Sequence, residues 1–406
     1  MEFQVSNKAK MLTTVLMVVG VVFTALGVIM AMPGEGQESH LGQKFLANLL
    51  VNSFFYFAVA ISALFFIALQ YATETGWFVA VKRVAEAIAG FLPYGMGFLL
   101  LTFLTLSFMS GAHIYQWMDP EVMKEGGSHY DELAAGKGAY LNITFFWIRT
   151  IVYMAVYYLF LKGFRQRSIE QDNNPENAVG IHFTNYKRGA LFLVFFSVFS
   201  STSSWDWIMS IDVHWFSTLF GWYVFAGAWC CAMTVMVITV LYLKKLGYLP
   251  KVNESHIHDL GKWTFATSFL WSYMWFSQYM LIWYANIPEE TTYYLMRIEH
   301  FKGIYFGMFF INFAFPMLIL MSRDAKRHAG ILSFVGLIIL AGHWTDVWVM
   351  VMGGSMGPTA TFGTLEIGMA FVFLGLFVKV ILSNLAKVPL TPKYHPYLDE
   401  SLHHEI

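Results

Sequence analysis

The stretch SFVGLIILAGHWTDVWVMVM, residues 333–352, has the length and composition of a membrane-spanning helix but carries two ionisable side chains. A helix of this length extends about 30 Å, which is the hydrocarbon thickness of a bilayer. His343 and Asp346 lie three positions apart and therefore share one helix face. We expect them either to contact each other or to point together into a buried polar site.

The composition of the whole chain is that of a membrane protein. Of its 406 residues, 57% are hydrophobic and 13% are charged, whereas a soluble domain carries about 25% charged residues. The net charge of −1 says nothing about nucleic acid, but no basic face or basic tail is present to bind it, so no nucleic-acid partner is expected. The adjacent Cys230 and Cys231 lie in an apolar run, a pattern that favours packing residues over a disulfide framework.

Ten apolar runs are long enough to cross a bilayer, which takes about 20 residues of helix. We therefore predict an all-α polytopic membrane protein with about ten transmembrane helices in a single integral membrane domain, residues 1–406. The first run is longer than the apolar part of a signal peptide, which has about 7–15 residues, and is predicted to be a membrane helix. The helices are expected near 11–31, 45–71, 84–108, 141–163, 188–211, 216–243, 262–285, 301–322, 329–352 and 360–387.

Basic residues predict the orientation of these helices. The 25 lysines and arginines are concentrated on the side that holds both ends of the chain and the turn after every second helix. Cytoplasmic loops of membrane proteins carry such an excess of basic residues. Both termini are therefore expected in the cytoplasm, and the segments 109–140 and 285–300 are expected outside.

Seven ionisable residues fall in the outer part of the predicted helices or in the turn between two of them. A charged side chain at mid-bilayer costs about 2.5–3.5 kcal/mol on insertion scales, so each is a functional candidate. Arg149 is expected to neutralise Glu366 or one of the aspartates, and the set predicts a proton pathway or a quinol site. The alternative is a set of mutually satisfied contacts between helices, without chemistry. The candidates are Arg149, Asp206, Asp212, His214, His343, Asp346 and Glu366.

Fewer charges lie near the predicted cytoplasmic ends of the helices. Glu86 begins the third helix among apolar neighbours, and it is a candidate for the inner mouth of a proton route or for an interfacial charge. Lys379 is a weaker inner-side candidate. A lysine near a helix end, such as Lys379 or Lys82, is expected to extend its ammonium group to the interface. Pro93 and Pro316 predict kinks in the third and eighth helices.

Motifs for redox cofactors are absent from the sequence. The chain has no CxxCH for covalent haem attachment and no cysteine cluster for an iron–sulfur centre. We therefore predict that the chain holds no metal and no covalently bound cofactor. If the protein takes part in electron transfer, the redox metals belong to partner subunits.

Two long stretches resemble a known family of respiratory membrane subunits. They are WDWIMSIDVHWFSTLFGWYVFAG, residues 205–227, and FSQYMLIWYANIPEET, residues 276–291. Both resemble the ActF-type subunits of bacterial alternative complex III, a quinol:cytochrome c or terminal oxidase oxidoreductase. These subunits are related to the NrfD/PsrC-like integral membrane proteins. The resemblance extends over essentially the whole chain and carries Asp206, Asp212 and His214 as matching positions.

The resemblance implies a fold, a location and a set of partners. The implied fold has two four-helix bundles, helices two to five and six to nine, plus flanking helices in the bacterial inner membrane. The implied partners are membrane lipid, a sister NrfD-like membrane subunit, an iron–sulfur subunit and pentahaem and monohaem cytochrome c subunits, with a terminal oxidase as a further candidate. Haem c and iron–sulfur clusters then lie in the partners, and menaquinone or menaquinol is the favoured quinone.

Three functions are consistent with these observations. The first is a non-metal membrane subunit of a quinol-oxidising respiratory complex that provides a buried proton pathway, a quinol site or both. The second is a secondary transporter, which would need a midplane site joined to both faces, whereas the candidate charges lie toward one face. The third is a structural scaffold for the redox subunits, in which neutralising the buried charges would affect assembly only.

Overall fold

The computed structural model describes residues 3–32, 40–108 and 114–405, and all secondary structure within these ranges is helical. Ten long helices account for most of it. They are α1 Asn7–Met30, α2 Leu41–Ala72, α3 Trp77–Phe108, α4 Ile143–Asn173, α5 Ala178–Trp207, α6 Phe220–Lys245, α7 Glu254–Ala285, α8 Pro288–Leu320, α9 Ala329–Ser355 and α10 Thr364–Leu385.

Nine of these ten helices in the described ranges are long and apolar enough to cross a membrane, as expected of an all-α polytopic membrane protein. The exception is α7, which is 32 residues long but less apolar. Polar side chains such as His258, Asp259 and Gln278 interrupt its apolar sequence, and all three are buried against other parts of the protein. These three polar residues of α7 therefore face the interior, whereas Glu254 and Lys262 of the same helix are exposed.

Several helices extend beyond their predicted bounds. The predicted loop 164–187 is wrong, because α4 and α5 are separated only by residues 174–177. The predicted outer segment 285–300 is also largely helical, since α8 begins at Pro288. The segment 109–140 contains short helices at Gln116–Met118, Pro120–Met123 and Glu132–Gly136. The first five residues of that segment, 109–113, lie outside the described residues.

Helices α2 to α9 pack in two groups of neighbours. In the first group, α2 contacts α3 and α5, and α4 contacts the same two helices. In the second group, α6 contacts α7 and α9, and α8 contacts the same two helices. The groups meet where α2 and α5 pack against α6 and where α2 packs against α9. Helix α2 is almost entirely buried as a result.

Helices α1 and α10 form a closely packed pair beside these groups. A Cβ atom on Gly20 would lie 2.6 Å from the backbone nitrogen of Val372, and one on Gly368 would lie 2.4 Å from the backbone nitrogen of Thr24. Small residues at such positions let two membrane helices approach closely. The rest of α1 is largely exposed, so its contacts with α10 hold it in place.

Two helices are interrupted next to the prolines that predicted kinks. Helix α3 breaks at Gly90 and Phe91, just before Pro93. Helix α8 contains a π-helical turn, Phe310–Ala314, just before Pro316. Proline lacks a backbone N–H and its ring clashes with the carbonyl four residues earlier, so both interruptions have a local cause.

The ends of the helices form two faces. We call the end that carries the turns 73–76, 174–177 and 246–253 the terminal face, because the C-terminal segment 386–405 packs across it. Ser401 donates to the carbonyl oxygen of Trp77 at 2.7 Å, and the His404 ring lies 2.6 Å from the Asp259 carboxylate. The opposite end, with residues 114–140 and 208–219, is the loop face.

Candidate functional site

Asp346 is the centre of a buried polar site between three helices. Its side chain, 2% exposed, projects from the middle of α9. It accepts a hydrogen bond from the Tyr223 hydroxyl on α6 and one from the Trp271 indole nitrogen on α7, the latter at 3.0 Å. Both donors are neutral, so neither forms an ion pair with the carboxylate. A buried carboxylate without an adjacent cation can gain or lose a proton without breaking a salt bridge.

His343 lies one turn before Asp346 on the same helix. It is 2% exposed, and both of its ring nitrogens lack a hydrogen-bond partner among the described residues. Its ring packs edge-on against Trp271, with the ring centroids 5.0 Å apart. Leaving a buried polar atom unpaired costs about 1–3 kcal/mol, so an unpaired buried histidine is a functional candidate.

His343 and Asp346 point into the same small cavity. Val224, Cys231 and Met350 also line it, and it has room for about one or two water molecules. The sequence predicted that His343 and Asp346 either contact each other or point together into a polar site. The structure has the shared polar site, without a direct hydrogen bond between the two side chains.

A second small cavity lies on the other side of Asp346. It is rich in hydroxyl groups and has room for about one water molecule. Asp346 and Met350 line both cavities, so the carboxylate separates two spaces that water could occupy. The polar residues that line the second cavity with Asp346 are Tyr223, Gln278, Tyr293, Tyr294 and Tyr305.

Arg297 contacts two of the residues that line this second cavity, Tyr293 and Met350. Its guanidinium donates to Asp212 at 2.9 Å and to the carbonyl oxygens of Tyr293 and Met350 at 3.1 Å each. The guanidinium also stacks on the Tyr293 ring, 3.4 Å from the centroid. The sequence placed Arg297 in the segment 285–300 between two predicted helices, whereas in the structure it belongs to α8 and its side chain is fully buried. Asp212 therefore belongs to an ion pair that closes this site toward the loop face.

Arg149 and Asp206 form a separate buried ion pair between α4 and α5. Two guanidinium nitrogens donate to the two carboxylate oxygens of Asp206, each at 2.8 Å, and the Tyr153 hydroxyl donates a third bond at 3.0 Å. Arg149 also stacks on the Tyr140 ring at 3.9 Å. Of the carboxylates expected to pair with Arg149, the structure thus selects Asp206 and not Glu366.

Glu366 stabilises the start of α10. Its carboxylate accepts from the backbone N–H of Gly363 at 2.8 Å and from the Asn48 amide at 3.0 Å, and it lies 3.3 Å from the Lys44 ammonium. A carboxylate at a helix N-terminus satisfies free N–H groups and interacts favourably with the helix dipole. Glu366 therefore has a structural role that is separate from the Asp346 site.

His214 lies on the surface, away from the other candidates. Its side chain is 47% exposed and its Nε2 atom is 2.6 Å from the carboxylate of Asp131. Partial burial of Asp131 acts to raise the pKa of its carboxyl group, but the backbone N–H of Ala134 and the His214 ring outweigh it and lower that pKa. This pair joins the segment 114–140 to the turn after α5.

The inner-side candidates are not brought together. Glu86 is buried near the terminal face, where it accepts hydrogen bonds from Arg83 at 2.8 Å and from Arg165 at 2.7 Å. Lys379 is exposed on α10. Lys82 is 1% exposed, so the expectation that its ammonium reaches the interface is wrong. Glu86 therefore belongs to a network of buried cations that the sequence did not indicate.

A third small cavity lies between α2, α5 and α6. It is lined by hydroxyl groups of the serine-rich stretch of α5 and has room for about two water molecules. It shares Phe54, Ala58, Val224 and Ala228 with the cavity beside His343, so these apolar side chains border both cavities. The hydroxyl groups are those of Ser62, Tyr157, Ser200, Ser203 and Ser204.

Sequence reasoning missed the neutral donors to Asp346 and the role of Arg297. Tyr223 and Trp271 resemble ordinary aromatic residues of membrane helices, and nothing local marks them as partners of a carboxylate. For Arg297 a signal was present, because Pro288 followed by Glu289 and Glu290 is typical of a helix start. That pattern would have placed Arg297 inside a helix.

The comparisons with known proteins assign no family. No family model matches the chain, and no curated protein matches it. Within residues 3–32, 40–108 and 114–405, no group of three or more His, Cys, Asp or Glu side chains is placed to hold a metal ion. The arrangement of buried polar side chains therefore carries the functional argument.

Proposed function

We propose that the chain is a membrane subunit of a quinol:cytochrome c or terminal oxidase oxidoreductase of the alternative complex III type. Its own contribution is a buried proton pathway through the Asp346 site. The resemblance of residues 205–227 and 276–291 to the ActF-type subunits supports the complex. The observation that carries the pathway is Asp346 itself, a buried carboxylate with neutral donors between two water-sized cavities.

The size of the cavities favours a proton pathway over a quinol site at this position. Each of the two spaces beside Asp346 has room for about one or two water molecules, and a quinone ring needs several times that volume. The residues around Asp346 therefore do not fit menaquinone or menaquinol. In this proposal the quinol is oxidised elsewhere in the complex.

Each residue of the pathway has a defined part. Asp346 accepts a proton from water on one side and releases it to water on the other. The unpaired ring nitrogens of His343 face the first cavity and can exchange protons with water there. Arg297 and Asp212 pair with each other and keep the second cavity closed to bulk solvent. Arg149 and Asp206 hold α4 against α5 and do not join the pathway directly.

The arrangement of the helices supports the implied fold. In the proposed layout α2–α5 and α6–α9 are two four-helix bundles, and α1 and α10 flank them, in agreement with the neighbours of each helix. The terminal face is proposed to lie in the cytoplasm of a bacterium, because the basic residues are concentrated there. The proposed partners are the sister membrane subunit, the iron–sulfur subunit and the cytochrome c subunits, which hold the haem c and the clusters.

The replacement Asp346→Asn tests the pathway. Asparagine keeps the shape and the hydrogen-bond acceptor but cannot carry a proton. We expect the complex to assemble and the proton release per quinol, or the turnover, to fall at least about tenfold, as is common when a general acid–base group is removed. The measurement is proton release by the purified complex in lipid vesicles with quinol as substrate.

The matched control is Glu366→Gln. Glu366 is also a buried carboxylate, but it stabilises a helix start. The replacement Glu366→Gln should lower thermal stability and leave proton release per quinol unchanged. Normal turnover with normal proton release in Asp346→Asn would rule out the pathway.

A purification from native membranes in mild detergent tests the complex itself. Haem c and iron–sulfur subunits should be present with the chain in a haem spectrum and by mass spectrometry. A chain that purifies alone and colourless would contradict the assignment and would favour a transporter.

A further inference from the structure

A fourth small cavity, with a polar lining, lies under the C-terminal segment at the terminal face. It has room for about one water molecule. Its polar lining comes from four parts of the chain, namely the end of α2, the start of α3, the start of α5 and the segment 386–405. The polar side chains are those of Gln70, Tyr71, Thr75, Lys82, His182 and His395.

Lys82 supplies a buried positive charge at this cavity. Its ammonium group donates to the Tyr71 hydroxyl at 3.1 Å, and the nearest carboxylate oxygen, on Glu86, is 3.9 Å away. That carboxylate already accepts short hydrogen bonds from Arg83 and Arg165. An ammonium group can donate three hydrogen bonds. Lys82 is therefore a buried cation with unused donors.

The charges around Lys82 do not balance. The network contains the buried cations Lys82 and Arg83, the partly exposed Arg165, whose side chain is 22% exposed, and the two buried carboxylates Glu86 and Asp172. Burying an uncompensated charge is costly, so a compensating negative charge would stabilise the network. The cavity beside Lys82 is the place where such a charge fits.

Two further side chains at the cavity have unpaired polar atoms. His182 is 2% exposed and neither ring nitrogen has a hydrogen-bond partner among the described residues. Its Nε2 atom is 3.8 Å from the Glu74 carboxylate, which is too long for a hydrogen bond. The side-chain oxygen of Gln70 is also unpaired, and the opposite orientation of its amide would present N–H donors to the cavity.

His395 adds a donor from the C-terminal segment. Its Nδ1 atom accepts from the backbone N–H of Tyr397 at 3.3 Å, so that the proton of the neutral ring lies on Nε2. Burial, together with the charges of Lys82 and its neighbours, lowers the pKa of His395 to about 2, and the ring is therefore neutral at physiological pH. The positive charges of Lys82 and Arg83 surround this ring and disfavour its protonation or a bound cation beside it.

We propose that this cavity binds a small monatomic anion, of the class of chloride, between the ammonium group of Lys82 and the ring N–H groups of His182 and His395. The volume admits one ion of this kind and excludes phosphate, sulfate and carboxylate ligands. The bound anion offsets the surplus positive charge and joins the C-terminal segment to α2, α3 and α5. The carboxylate of Glu74, which lies 3.8 Å from His182, instead accepts a hydrogen bond from the Tyr397 hydroxyl at 3.1 Å.

Binding of radioactive chloride to the native assembly in mild detergent tests this proposal. Thermal unfolding is measured in parallel in chloride, bromide, sulfate and gluconate at equal ionic strength. We expect saturable chloride binding and a higher unfolding temperature in chloride and bromide than in the two larger anions. In the variant Lys82→Met the affinity should fall at least about tenfold, since a hydrogen bond to a charged group contributes on this scale.

The control is Lys379→Met, which removes an exposed lysine and should leave chloride binding unchanged. Gln70→Leu keeps the volume of the side chain and should weaken binding several-fold, which provides a second test if Lys82→Met does not fold. Equal unfolding temperatures in chloride and gluconate, without saturable chloride binding to the wild type, would mean that the cavity holds water only and would overturn the proposal.

Discussion

At the scale of single residues, two buried aspartates in the halves of α5 and α9 nearer the loop face differ in their partners. Asp206 accepts two hydrogen bonds from the Arg149 guanidinium, whereas Asp346 accepts only from the neutral groups of Tyr223 and Trp271. A bidentate guanidinium pair holds a carboxylate in place. The two residues look alike in the sequence, but only Asp346 is suited to exchange protons.

The replacement Asp206→Asn should destabilise the protein. It leaves the Arg149 cation without its partner, and breaking one side of a buried ion pair typically costs about 3–5 kcal/mol. The measurement is the thermal unfolding temperature in detergent, which should fall by several degrees. Adding Arg149→Met should restore part of the loss, because the unpaired charge is then removed. Unchanged stability in Asp206→Asn would contradict the structural role of the pair.

The Asp131–His214 pair is expected to make a pH-dependent contribution to the stability of the fold. The pKa of Asp131 is lower in the folded protein than its ordinary value, so the charged carboxylate stabilises the fold above about pH 4, and this contribution is lost as the pH falls below that range through the lowered pKa. Asp131→Asn should therefore increase hydrogen exchange in residues 114–140 at pH 7, by an amount on the order of 0.5 kcal/mol. The difference from wild type should shrink as the pH is lowered through the lowered pKa of Asp131. A difference that stays constant as the pH is lowered would assign the effect to packing.

At the scale of the helices, close packing of the α1 backbone against the α10 backbone holds α1 in place. Helix α1 is apolar on almost every side and few of its residues are buried, so its position depends on the contact with α10. The contact is made through glycines on both helices, where van der Waals packing and not burial from water supplies the attraction. Disrupting this close packing should therefore release α1 from α10 without unfolding the other helices.

Gly368→Leu tests this contact. Its Cβ atom would lie 2.4 Å from the backbone nitrogen of Thr24, which cannot move without shifting α1. We expect a cysteine pair introduced across α1 and α10 to lose its cross-linking, together with a small decrease in the unfolding temperature. Gly307→Leu is the control, since a side chain at that position of α8 meets open space. Retained cross-linking in Gly368→Leu would show that α1 is held by other contacts.

At the scale of the whole molecule, the C-terminal segment joins helices that are distant in the sequence. Its backbone and side chains bond to Asp172 at the end of α4, to Trp77 and Ala80 at the start of α3 and to Asp259 on α7. The buried cations Lys82 and Arg83 lie directly beneath it. The segment therefore closes the terminal face across both groups of helices.

Truncation after residue 393 should open this face. We expect a lower unfolding temperature and a strong increase in the reaction of the Lys82 amine with a water-soluble acylating reagent, measured by mass spectrometry. Lys245 is exposed in the intact protein and should react equally in both forms. A Lys82 amine that stays unreactive after truncation would mean that the helices alone protect it.

Part of the site could be predicted from the sequence and part could not. The apolar runs led directly to the helices, and the ionisable residues within them drew attention to Asp346 and His343. The seven candidates were expected to gather, yet they lie in five separate arrangements, with Glu366 at a helix start and His214 on the surface. The reason is that depth along a helix follows from residue number, whereas the direction of a side chain depends on the rotation of the whole helix.

The sequence by itself determined that the chain is largely helical, with helices long and apolar enough to cross a membrane, and the approximate position of most of these helices along the chain. These properties depend on the length and apolar character of local segments, which a bilayer requires whatever the neighbours are. Only the tertiary structure decided which side chains meet. Asp346 lies 123 positions from Tyr223 and 75 from Trp271, and Arg149 lies 57 from Asp206. Such contacts depend on the packing of all the helices together, because that packing sets the rotation of each one.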